Sequence, residues 1–260
     1  MNQEILNEIT RQNYTSIKDR IEKFLVDEVN QRGSKGVIFG LSGGIDSAVV
    51  AVLCSNVLRE KSLALIMPDS KITPEKDTED GISLAKNLGL DYKIIDINSI
   101  HSEFSKSLDG DDFALGNLKA RIRASILYYY ATVYKYLVLG TSDKSEFLIG
   151  YFTKFGDGAA DLEPIVSLYK TQLREFAKTL SVPQDIIAKK SSPQLWADHE
   201  AEDELGITYE EIDSILYCLI DKGSSVQETA KITQIYEKFV NKVYDLYKKS
   251  EHKRIVPKAC

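Results

Sequence analysis

At 260 residues the chain can bury the core of one α/β domain, but a second catalytic domain would not fit comfortably. A formal net charge of −6 excludes a general polyanion binder, and three scattered cysteines (Cys54, Cys218, Cys260) without a C-x-x-C pair exclude a disulfide framework or a zinc site. No apolar run approaches ~18 residues and Met1 to Glu4 begin no charged-then-apolar leader, so a soluble, cytoplasmic protein with no membrane or nucleic-acid partner is expected.

Ile17, Ile21, Phe24, Leu25 and Val29 recur at helical spacing and predict a helix over residues 4–31, interrupted near Asn13. Gly33 and Gly36 end it. Val37 to Leu41 is a short, apolar, β-branched run that reads as a buried parallel strand. Ser42, Gly43 and Gly44 turn the chain, and Ala48 to Leu58 continues as an apolar helix in which Cys54 fills core space. Leu63 to Met67 is the second strand, Thr73-Pro74-Glu75 starts a helix that Gly89 closes, and Tyr92 to Ile97 is the third strand. Asp109 to Asp112 is a turn, Asn117 to Tyr134 a long helix, Tyr136 to Gly140 the fourth strand and Leu162 to Val166 a fifth. Alternating strands and helices imply an α/β fold. The expected form is a doubly wound parallel sheet of about five strands in the order 3-2-1-4-5, with helices on both faces. Neither an internal repeat nor a low-complexity segment interrupts residues 1–260, so one domain is expected.

In such a sheet the ligand crevice lies at the carboxyl ends of the strands where the order reverses, here between strands one and four. A strand, a glycine turn and a helix N-terminus make an anion site, because unpaired N–H groups and the helix dipole converge there. Asp46 stands inside that site. A carboxylate beside phosphates is repulsive unless a cation lies between them, which predicts Mg²⁺. Glu146 follows strand four and faces the same crevice, either as a second ligand of that cation or as an acidic residue favoured at a helix start.

Tyr151 to Asp161 is too aromatic for a flexible linker and too glycine-rich for a helix; a binding loop and a bland connection both fit. Lys170 opens the helix Thr171 to Leu180, where a cation is misplaced unless an anion is near; the alternative is a solvated lysine. Ser191 to Asp203 suits a mobile lid or a plain exposed loop, with Trp196 as loop packing. Thr208/Glu211 and Ser225/Glu228 are capping boxes that start helices over residues 209–222 and 226–248, with Cys218 as core filling. His252-Lys253-Arg254 is a short basic tail that ordinarily stays solvated.

Position 46 is Asp, so the glycine turn is no Walker A loop, and G-x-G-x-x-G is not met. Ser42-Gly-Gly-Ile-Asp-Ser47 instead resembles the pyrophosphate loop of ATP pyrophosphatases, which cleave ATP between the α and β phosphates. Further stretches narrow the resemblance: Asn117 to Arg123, Gly140 to Glu146, Gly150 to Asp161, Leu168 to Lys170, Glu204 to Glu211 and the tail His252-Lys253. Together they look like ammonia-dependent NAD⁺ synthetase. That resemblance implies ATP as co-substrate and Mg²⁺ as cofactor, with adenylation of deamido-NAD⁺ and displacement of AMP by ammonia. It places Gly40, Leu41, Ser42, Gly43, Gly44, Ile45, Asp46, Ser47, Thr141, Lys170 and Ser192 at ATP, with Asp46 and Glu146 on the metal and Lys170 beside them in catalysis. It places Arg121, Lys154, Asp161, His252 and Lys253 at deamido-NAD⁺, and implies a homodimer packed through long central helices. Position 192 is Ser where some members have Thr, which keeps the hydroxyl. Only 36 residues precede Val37, so no glutaminase domain is expected upstream and free ammonia is the expected nitrogen source. Two other readings are a tRNA-modifying or GMP-forming enzyme of the same group, and a nucleotide-binding module without catalysis. Missing C-x-x-C pairs and the absent basic surface speak against tRNA thiolation. A module that had lost catalysis would not be expected to keep both Asp46 and Glu146.

Overall fold

The structure, a computed structural model, describes residues 1–196, 199–256 and 259; Ala197 and Asp198 of the expected lid, and Cys260, lie outside the described residues. In chain order the elements that matter are α1 (Gln3–Thr10), α2 (Tyr14–Gln31), β1 (Gly36–Gly40), α3 (Ile45–Leu58), β2 (Ser62–Ile66), α4 (Glu75–Leu88), β3 (Asp91–Ile94) and α5 (Asn98–Ser105). They continue as α6 (Asp112–Tyr134), β4 (Tyr136–Leu139), α7 (Lys144–Ile149), α8 (Lys170–Thr179), α9 (Gln184–Ile187), α10 (Ala201–Leu205), α11 (Tyr209–Leu216), α12 (Val226–Thr233), α13 (Glu237–Lys249) and α14 (Glu251–Arg254).

The four strands are parallel in the order β3-β2-β1-β4. Val37 is in register with Ser62 on one side and Leu137 on the other, which puts β1 at the centre and buries it on both faces. Alternation along β1 splits the core. Val37 and Phe39 pack with α2 and α3, whereas Ile38 packs with Ile122 and Ala131 of α6 and with Val138. Helix α3 is buried almost all round, which its unbroken apolar sequence requires. A third cluster joins Ile5 and Ile9 of α1 to Ile212, Ile215 and Leu216 of α11 and to Val240 and Val243 of α13.

At three places the elements differ from the sequence expectation for a local reason. The fifth strand is a single bridge, Leu139 to Leu162, because Pro164 follows two residues later and has no N–H for a ladder. Helix α6 starts five residues before Asn117, since Asp111 caps it by accepting from Ala114 N at 2.7 Å. The first helix is interrupted at Arg11 to Asn13, as expected, with Asn13 capping α2. The last expected helix breaks at Gln234, which adopts φ +58° between α12 and α13.

Candidate active site

The loop from β1 to α3 is knitted by its own hydroxyls. Ser47 Oγ donates to the Gly44 carbonyl at 3.1 Å and accepts from Ser42 N at 3.2 Å, while Ser42 Oγ accepts from Gly44 N at 3.3 Å. Gly43 has φ +79°, and a Cβ there would lie 2.1 Å from the Asp77 carbonyl oxygen, so only glycine fits. Gly44 caps α3 without a side-chain bond, which leaves the first-turn N–H groups for an anion. Lys189 clamps the loop from outside: its Nζ donates to the Gly43 carbonyl at 3.0 Å and pairs with Asp77 at 2.5 Å and Asp80 at 2.6 Å.

Beside this loop stands a buried cluster of charge. Lys170, the first residue of α8, is fully buried, and its Nζ lies 2.7 Å from Asp46 Oδ1, 2.7 Å from Asp143 Oδ2 and 2.9 Å from Glu146 Oε1. Asp46 comes from the first turn of α3. Asp143 caps α7, its Oδ1 accepting from Glu146 N at 2.8 Å, so one residue both starts the helix and turns its other oxygen to Lys170. Tyr209 closes the cluster, donating its hydroxyl to Glu146 Oε1 at 3.3 Å with its ring centroid 5.2 Å from Lys170 Nζ.

Burial pushes the Glu146 carboxyl well above the ordinary carboxylate range; Lys170 offsets part of that, and Asp143 and Asp46 add to it by repulsion. Burial likewise raises Asp143, against the attraction of Lys170. Burial also works against the Lys170 ammonium, yet the three carboxylates outweigh it and hold its pKa well above the usual lysine value. One ammonium thus faces three carboxylates whose oxygens lie within 4.8 Å of one another. That surplus of hard oxygen donors fits a divalent cation such as Mg²⁺.

The cluster adjoins a cavity of about 380 Å³ at the carboxyl ends of β1 and β4. Of the residues expected at ATP, Gly40, Leu41, Ser42, Gly44, Ile45, Asp46, Ser47, Thr141 and Ser192 line it, as does Glu146. Gly43 shapes the loop, and Lys170 sits behind the wall. Of the residues expected at the dinucleotide, only Lys253 is in the lining; its Nζ donates to the carbonyls of Gly150 at 2.6 Å and Phe152 at 2.7 Å. Burial lowers the pKa of the Lys253 ammonium; Asp157 offsets part of this and Arg121 adds to it. Arg121 and His252 are exposed, and Lys154 Nζ donates to the His252 carbonyl at 2.6 Å. Asp161 Oδ2 accepts from Val138 N at 2.8 Å and so satisfies the open edge of β4.

Asp143 and Lys189 escaped the sequence reading, as did a group at the far wall. There Trp196 stacks on His199 with ring centroids 3.6 Å apart, and His199 Nε2 and the Tyr151 hydroxyl both reach Glu204 Oε2, at 2.7 Å and 2.5 Å. Trp196 therefore packs within its own loop and also lines the cavity. An aromatic residue and a histidine inside an acidic polar stretch were the available signal.

The sequence model of the NAD synthase family matches residues 17–257. A relative from Hyperthermus butylicus, named NH(3)-dependent NAD(+) synthetase, is 48% identical over 98% of this chain and 93% of its own length. One of the same name from Methanocaldococcus jannaschii is 46% identical over 93% of this chain and 95% of its own. Among solved structures, NH3-dependent NAD synthetase from Campylobacter jejuni superposes with a TM-score of 0.82 at 34% identity, covering 96% of this chain and 99% of that one. NMN synthetase from Francisella tularensis superposes with a TM-score of 0.85, also at 34% identity and with the same coverage.

Proposed function

The chain belongs to the NAD synthase family, and from that premise we propose that it makes NAD⁺ from deamido-NAD⁺, ATP and ammonia. A nicotinate carboxylate oxygen attacks the α-phosphorus of ATP, and the bond to the β-phosphate oxygen breaks to release pyrophosphate. Ammonia then attacks the acyl carbon, AMP leaves with the bridging oxygen, and the nitrogen loses a proton to give the amide. The observation that carries this reading is the Lys170 ammonium held among Asp46, Asp143 and Glu146 directly beside a pyrophosphate-type loop.

Asp46 and Glu146, with Asp143, would hold Mg²⁺. When bound, the ion supplies charge neutralisation for the triphosphate. The α3 N–H groups and the hydroxyls of Ser42, Ser47, Thr141 and Ser192 bind and orient the phosphates. Lys170 places a fixed positive charge where negative charge develops on the transferring phosphoryl group. Arg121, Lys154, Asp161, His252 and Lys253 belong to the acceptor side, some of them by shaping it rather than touching the ligand. The exposed face of α6 that carries Tyr129 and Val133, four residues apart and each more than half exposed, supports a homodimer that completes the acceptor site. Residues 1–260 then work as one ATP-pyrophosphatase-type domain in the cytoplasm. Among the described residues no helix is long and apolar enough to cross a membrane.

Incubation with ATP, Mg²⁺, deamido-NAD⁺ and ammonium tests the reading. NAD⁺, AMP and pyrophosphate in equal amounts are expected; ADP and orthophosphate would contradict it, and so would equal rates with glutamine in place of ammonium. The likeness to NMN synthetase favours a second reading, in which the acceptor is the mononucleotide. Direct competition between deamido-NAD⁺ and nicotinic acid mononucleotide separates the two.

A further inference from the structure

One face of α11 supports the cluster without lining the cavity. Tyr209 and Asp213 are four residues apart on that helix, project the same way, and are both fully buried. Asp213 Oδ2 accepts from Thr171 N at 2.8 Å, and its Oδ1 accepts from Ser145 Oγ. Ser145 Oγ in turn accepts from Lys170 N at 2.9 Å. Ser145 lies in the first turn of α7, one residue before Glu146, and Lys170 and Thr171 open α8. The first N–H groups of a helix have no intrahelical acceptor, so this carboxylate and hydroxyl fix the start of α8 against the start of α7.

We propose that Asp213 is a positioning residue of the ATP-cleaving centre. Through Ser145 it sets where the Lys170 ammonium stands relative to Glu146, while Tyr209, from the same helix face, holds Glu146 Oε1 directly. The partners of Asp213 are a hydroxyl and an amide rather than a cation, and burial pushes its carboxyl up to about 7. A carboxylate so placed is a poor stabiliser of the core, and an apolar side chain would cost less. The register it imposes between α7 and α8 accounts for its presence. The inference uses the synthetase reading only to choose one of its two assays.

Asp213→Asn keeps the shape but turns an amide NH₂ toward a hydrogen-bond donor. It is expected to lower kcat ~10- to 100-fold, the usual loss when a group supporting a metal or catalytic residue is removed. The KM for deamido-NAD⁺ should stay within about two-fold, since the acceptor contacts are untouched. Ser145→Ala should give the same pattern, and the double variant should lose no more than the worse single one, because the two act in series. Multiplying losses, an unchanged kcat, or a KM that moves as far as kcat would overturn the proposal. If Asp213→Asn does not fold, Ser145→Ala and Tyr209→Phe, which each remove one hydroxyl, must show the kcat loss with the KM kept. Calorimetric titration with Mg-ATP gives a readout independent of NAD⁺ formation: affinity should fall ~10-fold in the variants, and wild-type affinity would refute positioning even if the chain proved to make another product.

Discussion

The two ends of the candidate site are built in opposite ways. At the ATP end, Lys170 and Asp143 are fully buried, and every group that orients the cluster comes from a helix start or from α11. At the acceptor end, Arg121 and His252 are exposed, and the contacts tie the tail to the loop after α7: Lys253 donates to the Gly150 and Phe152 carbonyls, and Lys154 donates to the His252 carbonyl. The contrast teaches where each task is done. Charge that must be fixed before the reaction is set into the core, where it needs no reorganisation. In the proposed function, recognition of the long ligand falls to this exposed rim.

The largest effect should come from the buried end. Asp46→Asn, Glu146→Gln and Asp143→Asn are each expected to lower kcat ~10²- to 10³-fold, on the scale of removing one preorganised electrostatic group. Steady-state rates across a Mg²⁺ titration check this, and a variant whose rate and Mg²⁺ dependence both match wild type would remove that residue from the metal site. Gly43→Ala comes next. A side chain at φ +79° and 2.1 Å from the Asp77 carbonyl should displace the loop, costing about 1–3 kcal/mol of stability together with most ATP affinity. Thermal melts and ATP titration measure both.

A smaller effect, confined to the other end, sharpens the contrast. Arg121→Ala should raise the KM for deamido-NAD⁺ ~10-fold with the KM for ATP nearly unchanged, as the loss of one charge-assisted bond requires. Equal shifts in both constants would erase the division between the two ends. Sedimentation belongs with this test, because a fully active monomer would leave the acceptor end complete without a partner.

The smallest expected effect is on stability. Glu163 packs against Gly140, and burial pushes its carboxyl up to about 8 despite a backbone bond from Ser142. Its folded value lies above the ordinary 4.5, so the folded state keeps a proton that the unfolded chain releases. Its contribution to stability is therefore present below pH 4.5 and is lost as pH rises toward 8. Glu163→Gln should flatten the melting temperature over that range, and an unchanged slope would place the titrating group elsewhere.

Much of this was legible before the fold was known. All four strands fall on the stretches expected to form them, the third ending at Ile94 rather than Ile97, and a lysine at a helix start announced an anion, since α8 begins with Lys170 against its own dipole. Asp143 was not legible because its position before Lys144 reads completely as a helix cap; the cap uses one oxygen and the cluster the other. Lys189 was hidden for a different reason. Its partners Asp77 and Asp80 lie more than a hundred residues earlier, and no local pattern encodes such a pairing. Leu162 to Val166 looked like a strand by composition, and Pro164 within it was the overlooked veto. Arg121, Lys154, Asp161 and His252 were marked by resemblance alone, and the single chain does not gather them in the cavity.

In the proposed reaction the acceptor carboxylate itself attacks the α-phosphorus. Deamido-NAD⁺ carrying ¹⁸O in both carboxylate oxygens tests it in one turnover with ATP, Mg²⁺ and ammonia. One labelled oxygen is expected in the phosphate of AMP, one in the amide of NAD⁺ and none in pyrophosphate. Unlabelled AMP, or label in pyrophosphate, would contradict it.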